Sequence, residues 1–345
     1  MAGAHADQVP SVDVPFATVV VPVRNGEEMI GDCIESLLAG DYPPDHHEIL
    51  VIDNGSTDRT AEIIRRYPVG YLREDHRGVS NARNRGIAEG RGEVFAFIDG
   101  DCLADPSWLT EILRPFADPE VGCVAGELQH APGDSVAERQ STRMLGAWQR
   151  YAVNSNPPYA ITANAAYRAE VFQELGPFDP RMPRAQDVEL GLRFSERSSL
   201  RLVYSARAVV RHRHRTTQRE FFRQQLGWSY GAGLVASKYH ALDGRPSPPP
   251  RLKDVRYSAQ GVGHVLALRA RRRPPIPYRR EYLEDAWFGL MRQVAWYLGA
   301  RAGLWRGARI FRGEAQARKA RGGPTYPKPP RPVTVQSSEQ ARNGD

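Results

Sequence analysis

Cysteine is scarce in this chain: Cys33, Cys102 and Cys123 are the only three in 345 residues. An odd, unclustered set supplies neither a disulfide framework nor a paired-cysteine zinc site. Lysine is nearly as scarce, at four of the 47 basic residues, so the positive charge is almost wholly arginine. No stretch approaches the roughly 18 consecutive apolar residues of a spanning helix. The longest run, Phe16 to Val23, is interrupted by Thr18 and Pro22. The opening MAGAHADQVPSVDVPF has no basic start followed by an apolar core, so no secretory signal is expected and a reducing cytoplasm is the expected location. What is present suffices for a large core: 41% of residues are hydrophobic, enough for one large or two modest domains.

The formal charge of +7 conceals two opposed blocks. Residues 201–345 hold 29 basic against 9 acidic side chains, a net +20, while residues 1–200 hold 18 against 31, a net −13. Such asymmetry points the basic half toward an anionic surface or substrate. It equally describes a solvated basic face.

From Ala17 to about Val124, short β-branched runs alternate with amphipathic stretches. Strands are expected at Thr18–Val23, Glu48–Asp53, Val69–Arg73, Val94–Asp99 and Val121–Ala125. Helices are expected at Glu27–Ala39, Asp58–Arg66, Val79–Glu89 and Ser107–Phe116. Repeated βα units imply an α/β fold with a mostly parallel sheet flanked by helices, whose ligands sit at the carboxyl ends of the strands. Those ends read VPVRNGE, VIDNGSTD and FIDGDC. Beyond residue 130 we expect a helix at Val136–Tyr151, a short strand at Ile161–Asn164 and helices at Ala169–Leu175 and Asp187–Arg197. One or two strands over Leu200–Val210 and helices at Arg219–His240 and Arg280–Arg312 follow, with a linker at Asp243–Arg251. The Pro/Gly/Arg-rich tail from Gly322 has the composition of disorder.

Three acidic clusters carry the chemistry. Asp99-Gly100-Asp101 ends an apolar strand; two carboxylates at i and i+2 around a glycine can turn their oxygens onto one hard cation, or simply make a turn. Asp53 opens DNGSTD, where it can accept hydrogen bonds from a ligand or serve a turn and helix cap. Asp187 falls in the first turn of a helix, near the positive end of its dipole.

Taken in order, VVVPVRNGE, VIDNGSTD, GVSNARNRGI, FIDGDC, TANAAYR, LGPFD and QDVELGLR resemble the family 2 glycosyltransferases of the GT-A fold, over Phe16 to Thr217. The resemblance implies an inverting transfer from a nucleotide diphosphate sugar, UDP-sugar first, to a hydroxyl acceptor on a glycan, a lipid-linked carrier or a small molecule. It implies a divalent cofactor, Mn2+ or Mg2+. Pro22, Arg24 and Glu27 would then sit in the nucleotide-contacting first loop, Asp53 would recognise the base, and Arg83 would contact the donor. Asp99 would hold the ribose and metal waters, Asp101 would ligate the metal, and Asp187 would be the catalytic base. Gln186 departs from the family's usual glutamate. In similar enzymes a histidine after the last strand completes the metal shell; His212 is favoured over His214, and Asn164 would lie on the acceptor side.

The expected domains are a disordered N-terminus (1–15), a GT-A catalytic domain (16–217), a helical basic extension (218–312) and a disordered tail (313–345). In the extension, QQLGW distantly resembles the Gln-x-x-Arg-Trp motif of processive enzymes but has Gly227 for arginine. GAGLVA at 231–236 fits a dinucleotide fingerprint only by letters, since no strand precedes it. Tryptophans 287, 296 and 305 among arginines suit a helix lying on an anionic membrane surface. The same stripe suits packing on the core or on a second subunit of a homo-oligomer. No recognised module supports nucleic-acid binding. A sugar-phosphate nucleotidyltransferase would want a glycine-rich loop where VPVRNGEEM stands, and a silent sugar-binding module has only Gln186 in its favour.

Overall fold

Val19, Val20 and Val21 in ATVVVPV are all fully buried, as expected of a strand with parallel neighbours on both sides and helices on both faces. The computed structural model describes residues 15–131, 133–145, 148–243, 280–313 and 334–336. In chain order these form β1 (Ala17–Val23), α1 (Ile30–Leu38), β2 (His47–Asp53), α2 (Thr60–Ile64), β3 (Gly70–Arg73), α3 (Val79–Glu89), β4 (Val94–Ile98) and β5 (Cys102–Ala104). Then come α4 (Trp108–Leu113), β6 (Val121–His130), α5 (Val136–Leu145), α6 (Trp148–Val153), β7 (Asn164–Arg168), α7 (Ala169–Leu175), α8 (Gln186–Arg197) and β8 (Arg201–His212). Two long helices, α9 (Gln218–Asp243) and α10 (Arg280–Ile310), precede β9 (Thr334–Gln336).

The sheet runs β3-β2-β1-β4-β7-β6-β8-β5, with β9 also paired to β8. It is the expected α/β sheet with helical flanks, but β7 lies antiparallel to both β4 and β6, and β5 antiparallel to β8. Strand alternation divides the core in two. Val19, Val21, Ile49, Val51, Ala96 and Ile98 face α1 and α4, whereas Val20, Leu50, Ile52, Phe95 and Phe97 face α3, α7 and α8.

Several boundaries differ from the sequence expectation. Asn164 begins a strand rather than ending one. The helix expected over Val136–Tyr151 is divided into α5 and α6, and Leu200–Val210 belongs to a single strand extending to His212. Thr334–Gln336, inside the tail expected to be disordered, forms β9 beside Val203–Ser205. The expected N-terminal segment and the 243–251 linker lie almost entirely outside the described residues.

Helices α9 and α10 run in the same direction and touch along small residues. Gly299, Gly303 and Gly307, spaced four apart, meet Ser229, Tyr230, Gly233 and Ser237; a Cβ on Gly303 would sit 2.1 Å from the Tyr230 carbonyl oxygen. The pair, with Phe311 just beyond α10, packs on α8 and the loop before it through Leu234, Val235 and Phe311 against Met182, Val188 and Leu192, and on α5 through Phe221 and Phe288 against Ala137. One side of the extension is therefore core. Among the described residues, no helix is long and apolar enough to cross a membrane.

Candidate active site

The carboxyl ends of β1, β2 and β4 place the first, second and third motif loops side by side, because the three strands are adjacent and parallel. The first two loops lock together. Asn25, at positive φ 51°, donates its N–H to Ser56 Oγ at 2.9 Å, and its side-chain oxygen accepts the Thr57 N–H at 2.9 Å. Gly26 N–H donates to Thr60 Oγ1 at 2.8 Å. Glu27 accepts the backbone N–H and the side chain of Arg59, both at 3.1 Å, so its carboxylate serves this loop–loop clasp. Pro22 is buried within β1 opposite Ile52, while Arg24 is exposed at the loop. Asp53 is fully buried; one oxygen accepts the Ser56 N–H at 2.8 Å and the other the Tyr71 hydroxyl at 3.1 Å.

Arg83 projects from α3 and is 2% exposed, a burial normally reserved for fully paired guanidinium groups. Only one of its nitrogens is satisfied: Nη2 donates to Asp99 Oδ1 at 2.6 Å, whereas Nε and Nη1 have no partner. Phe178 lies 5.7 Å from the guanidinium carbon. Buried donors left open are expensive, and two such N–H groups on a guanidinium are suited to anionic oxygens.

Asp187 enters from α8 after Ala185, which turns the chain at φ 57°. Its carboxylate accepts the Val188 N–H at 2.9 Å. Burial raises its pKa above the usual carboxylate range and the negative charge of Asp99 adds to this, with Arg83 pulling the other way. Such a carboxyl holds a proton more readily than a free one. Beside it, the Gln186 side-chain oxygen is buried without a partner.

Asp101 meets His212 because β5 pairs antiparallel with the end of β8, setting Cys102 directly opposite His212. His212 Nε2 lies 3.5 Å from Asp101 Oδ1, and Arg215 reaches Asp101 Oδ2 at 3.4 Å. Asp101, Cys102 and His212 form a group able to hold a metal ion, their donor atoms all within 4.8 Å of one another. This carboxylate–imidazole pair has the chemistry of a divalent-cation site, so the residues fit the expected cofactor. Burial, together with Asp101 and Asp99, keeps the free Cys102 thiol well above its ordinary pKa.

Other residues join the site, most of them not singled out in the sequence. His130, at the end of β6, stands in register with His212 and shares a 2.5 Å contact with His214. Burial and the neighbouring His212 and His130 press the His214 pKa down to about 3, so this ring stays neutral. Trp148 lies edge-on to His212 and His214 at 6.0 and 6.2 Å, and to Trp228 at 4.9 Å. Arg184 keeps an open surface, yet desolvation and the like charges of Arg215 and Arg83 lower its pKa, with Asp99 and Asp101 opposing. The RHRHR run suggested His214; nothing local in the sequence pointed to His130 or Arg184.

Asn164 needs correcting. It is fully buried and occupied by the core: its oxygen accepts Trp108 Nε1–H at 2.8 Å, and its amide donates to the Glu127 and Ala208 carbonyls, each at 2.8 Å. The side chain ties β7 to β6 and, across it, to β8, and offers nothing to an acceptor.

Comparisons with known proteins bear on the fold and the family. Residues 18–176 match the model described as glycosyl transferase family 2. Glycosyltransferase AglE of Haloferax volcanii is 32% identical over 183 residues, covering 51% of this chain and 60% of that protein. Pre-mycofactocin glycosyltransferase of Mycobacterium tuberculosis is 28% identical over 232 residues, covering 64% and 48% respectively. The chain thus spans about half to three-fifths of the length of these curated relatives. Among solved structures, the mannosyltransferase PcManGT from Pyrobaculum calidifontis, in complex with GDP-Man and Mn2+, shares the fold. Its TM-score is 0.52 at 23% identity, with 89% of this chain and 79% of that one covered.

Proposed function

We propose, from the premise that residues 18–176 form a glycosyl transferase family 2 domain, that this chain moves a sugar from a nucleotide diphosphate donor to a hydroxyl acceptor. The observation that carries the reading is Arg83: a buried guanidinium with two open donors, fixed to Asp99 and in the field of Asp187. A diphosphate supplies the anionic oxygens these donors lack, with Arg184 and Arg215 adding positive charge nearby. Asp101 and His212 would hold a divalent cation of the manganese or magnesium class, whose charge would offset that on the departing diphosphate.

Asp187 acts as general base. An acceptor hydroxyl is too weak an acid to attack unaided, and a carboxyl with a raised pKa accepts its proton more readily as the new bond forms to the anomeric carbon. One displacement inverts the anomeric configuration. Asp53 and the clasped loops shape the nucleoside end of the cleft. A panel of UDP-, GDP- and dTDP-sugars, assayed with Mn2+ for nucleoside diphosphate release, tests the reading. Pyrophosphate release, or turnover of none of them, would contradict it.

We also infer that the acceptor lies at, or comes from, an anionic bilayer. Trp287, Leu298 and Trp305 are exposed on α10, and their spacings of 11 and 7 residues put them on one side of the helix. Residues 287–313 contain five arginines and no acidic residue, complementing an anionic headgroup layer. Arg309 stacks 4.9 Å over Trp305, joining charge to the apolar stripe. Sedimentation with phosphatidylglycerol vesicles, but not with neutral phosphatidylcholine vesicles, is expected for the full chain and lost in Trp287→Ser/Trp305→Ser. Concentration-dependent dimerisation without vesicle binding would assign the face to a second copy instead.

A further inference from the structure

Beside the Asp101–His212 pair stands a donor for which the transfer reaction has no use. Cys102 is fully buried, and its cross-strand pairing with His212 brings both side chains out on the same face of the ladder. Its thiol points at the carboxylate oxygen that also faces His212. Cys102 Sγ lies 3.8 Å from Asp101 Oδ1, and His212 Nε2 lies 3.5 Å from that same atom.

An oxygen, a nitrogen and a sulfur in one triangle form an unusual donor set for a cation bridging phosphates. Magnesium and manganese favour oxygen ligands, whereas thiolate selects zinc and ions like it. A tetrahedral zinc with bonds of about 2.0–2.3 Å separates its ligands by about 3.3–3.6 Å. The two edges to Asp101 reach those values after contracting by a few tenths of an ångström, while the third, between Cys102 and His212 and no longer than 4.8 Å, closes by rotation of the two side chains.

We propose that Asp101, Cys102 and His212 form a three-ligand site for a thiophilic divalent cation of the zinc class, with one position left open. Such an ion and the cation of the transfer reaction require the same Asp101 and His212 and therefore exclude each other. On binding, Cys102 releases its thiol proton to solvent and its thiolate ligates the ion; no group is oxidised or reduced. Two consequences follow. Zinc-class ions inhibit by replacing the working cation, and the inhibition is lifted by a chelator. Only the competition rests on the transferase reading; the three-donor geometry does not.

Cadmium tests the site directly, because a sulfur-to-cadmium bond gives an ultraviolet charge-transfer band. The full chain, Cys102→Ser and Cys33→Ser are stripped of metal, loaded with Mn2+ and titrated with Cd2+, while the bound Mn2+ is followed by electron paramagnetic resonance. Cys33 is the control: it too lies beside the DGD turn, its thiol 3.8 Å from the Asp99 carbonyl oxygen, but it is outside the triangle. Wild type and Cys33→Ser are expected to develop a band that saturates at one equivalent, with Mn2+ released as it grows. Cys102→Ser is expected to show no band and to bind Cd2+ on the order of 100-fold more weakly or worse, while keeping Mn2+ and the wild-type melt.

No band in the wild type, or a band that persists in Cys102→Ser, overturns the proposal. So does a Cys102→Ser protein that melts as the wild type does but loses Mn2+ together with Cd2+. Failure of the transferase reading shows differently: the band is intact, and the Mn2+-loaded chain turns over no nucleotide sugar.

Discussion

Two buried cations divide the molecule between them. Arg83 sits in the sheet domain with one nitrogen bonded to Asp99 and two bonded to nothing. Lys238 sits where α9 meets that domain, and its ammonium donates to Asp179 at 2.7 Å and Glu189 at 2.8 Å while resting 5.5 Å over the Phe311 ring. Around it, Arg181 and Arg193 complete the pairing of the same two carboxylates. The junction is satisfied by its own residues; the cleft is not. One is a structural centre and the other, in the function proposed, takes up the donor's phosphates; the basic extension, through Lys238 and Gly231 against Ala185, supports the turn from which Asp187 emerges.

The largest expected effect belongs to the cleft. Asp187→Ala should lower turnover by about 10²–10⁴-fold, the usual worth of a general base, while leaving nucleotide binding and melting temperature near wild type. Steady-state kinetics with parallel calorimetry checks this. At the junction the pattern reverses. Lys238→Met leaves two buried carboxylates short of a partner and should cost about 3 kcal/mol of stability, read by denaturant unfolding, with Lys238→Arg recovering part of it. Sign follows from Asp179, whose carboxyl is held well below the ordinary range by Arg181 and Lys238 against the cost of burial. A depressed carboxylate stabilises above its unfolded pKa, so this contribution disappears as acid protonates it, and Lys238→Met should flatten the acid end of the stability profile.

Asn164→Ala comes next. It strands the Trp108 indole N–H and two strand carbonyls, so about 1–3 kcal/mol of stability should go with the acceptor KM unchanged. The smallest stability effect should be that of Arg83→Met, under about 1 kcal/mol, since Asp99 can rehydrate where it is partly exposed. That variant instead moves the pH profile. With Asp187 as the base, activity should fall as pH drops through its raised pKa, and removing the Arg83 charge that opposes the rise should shift this acid limb upward. An unchanged limb in a folded Arg83→Met protein would separate Arg83 from Asp187. If Arg83→Met destabilises as much as Lys238→Met, the contrast between the two cations fails.

Much of this was legible in the sequence because its signals are local. β-branched runs ending in VPVRN, VIDNG and FIDGD mark both the strands and the edge where ligands belong, and Asp187 is read from a helix start. What escaped depends on register. His130 joins His212 only because β6 and β8 pair in parallel past a bulge, and Cys102 meets His212 through a three-residue strand too short for any periodicity. Asn164 was misplaced for the same reason: TANAAYR shows a strand and a turn-prone residue, but not that two neighbouring strands occupy its amide. Glu27 likewise looks open in sequence and is taken up by Arg59, a residue 32 positions away.

The most direct test titrates nucleoside diphosphates into the wild type and Arg83→Met in the presence of Mn2+, by isothermal calorimetry. The open guanidinium predicts binding to the wild type and binding about 10- to 100-fold weaker in the variant, the worth of one or two hydrogen bonds to a charged group. Equal affinity in both proteins, or no binding to the wild type, would contradict it.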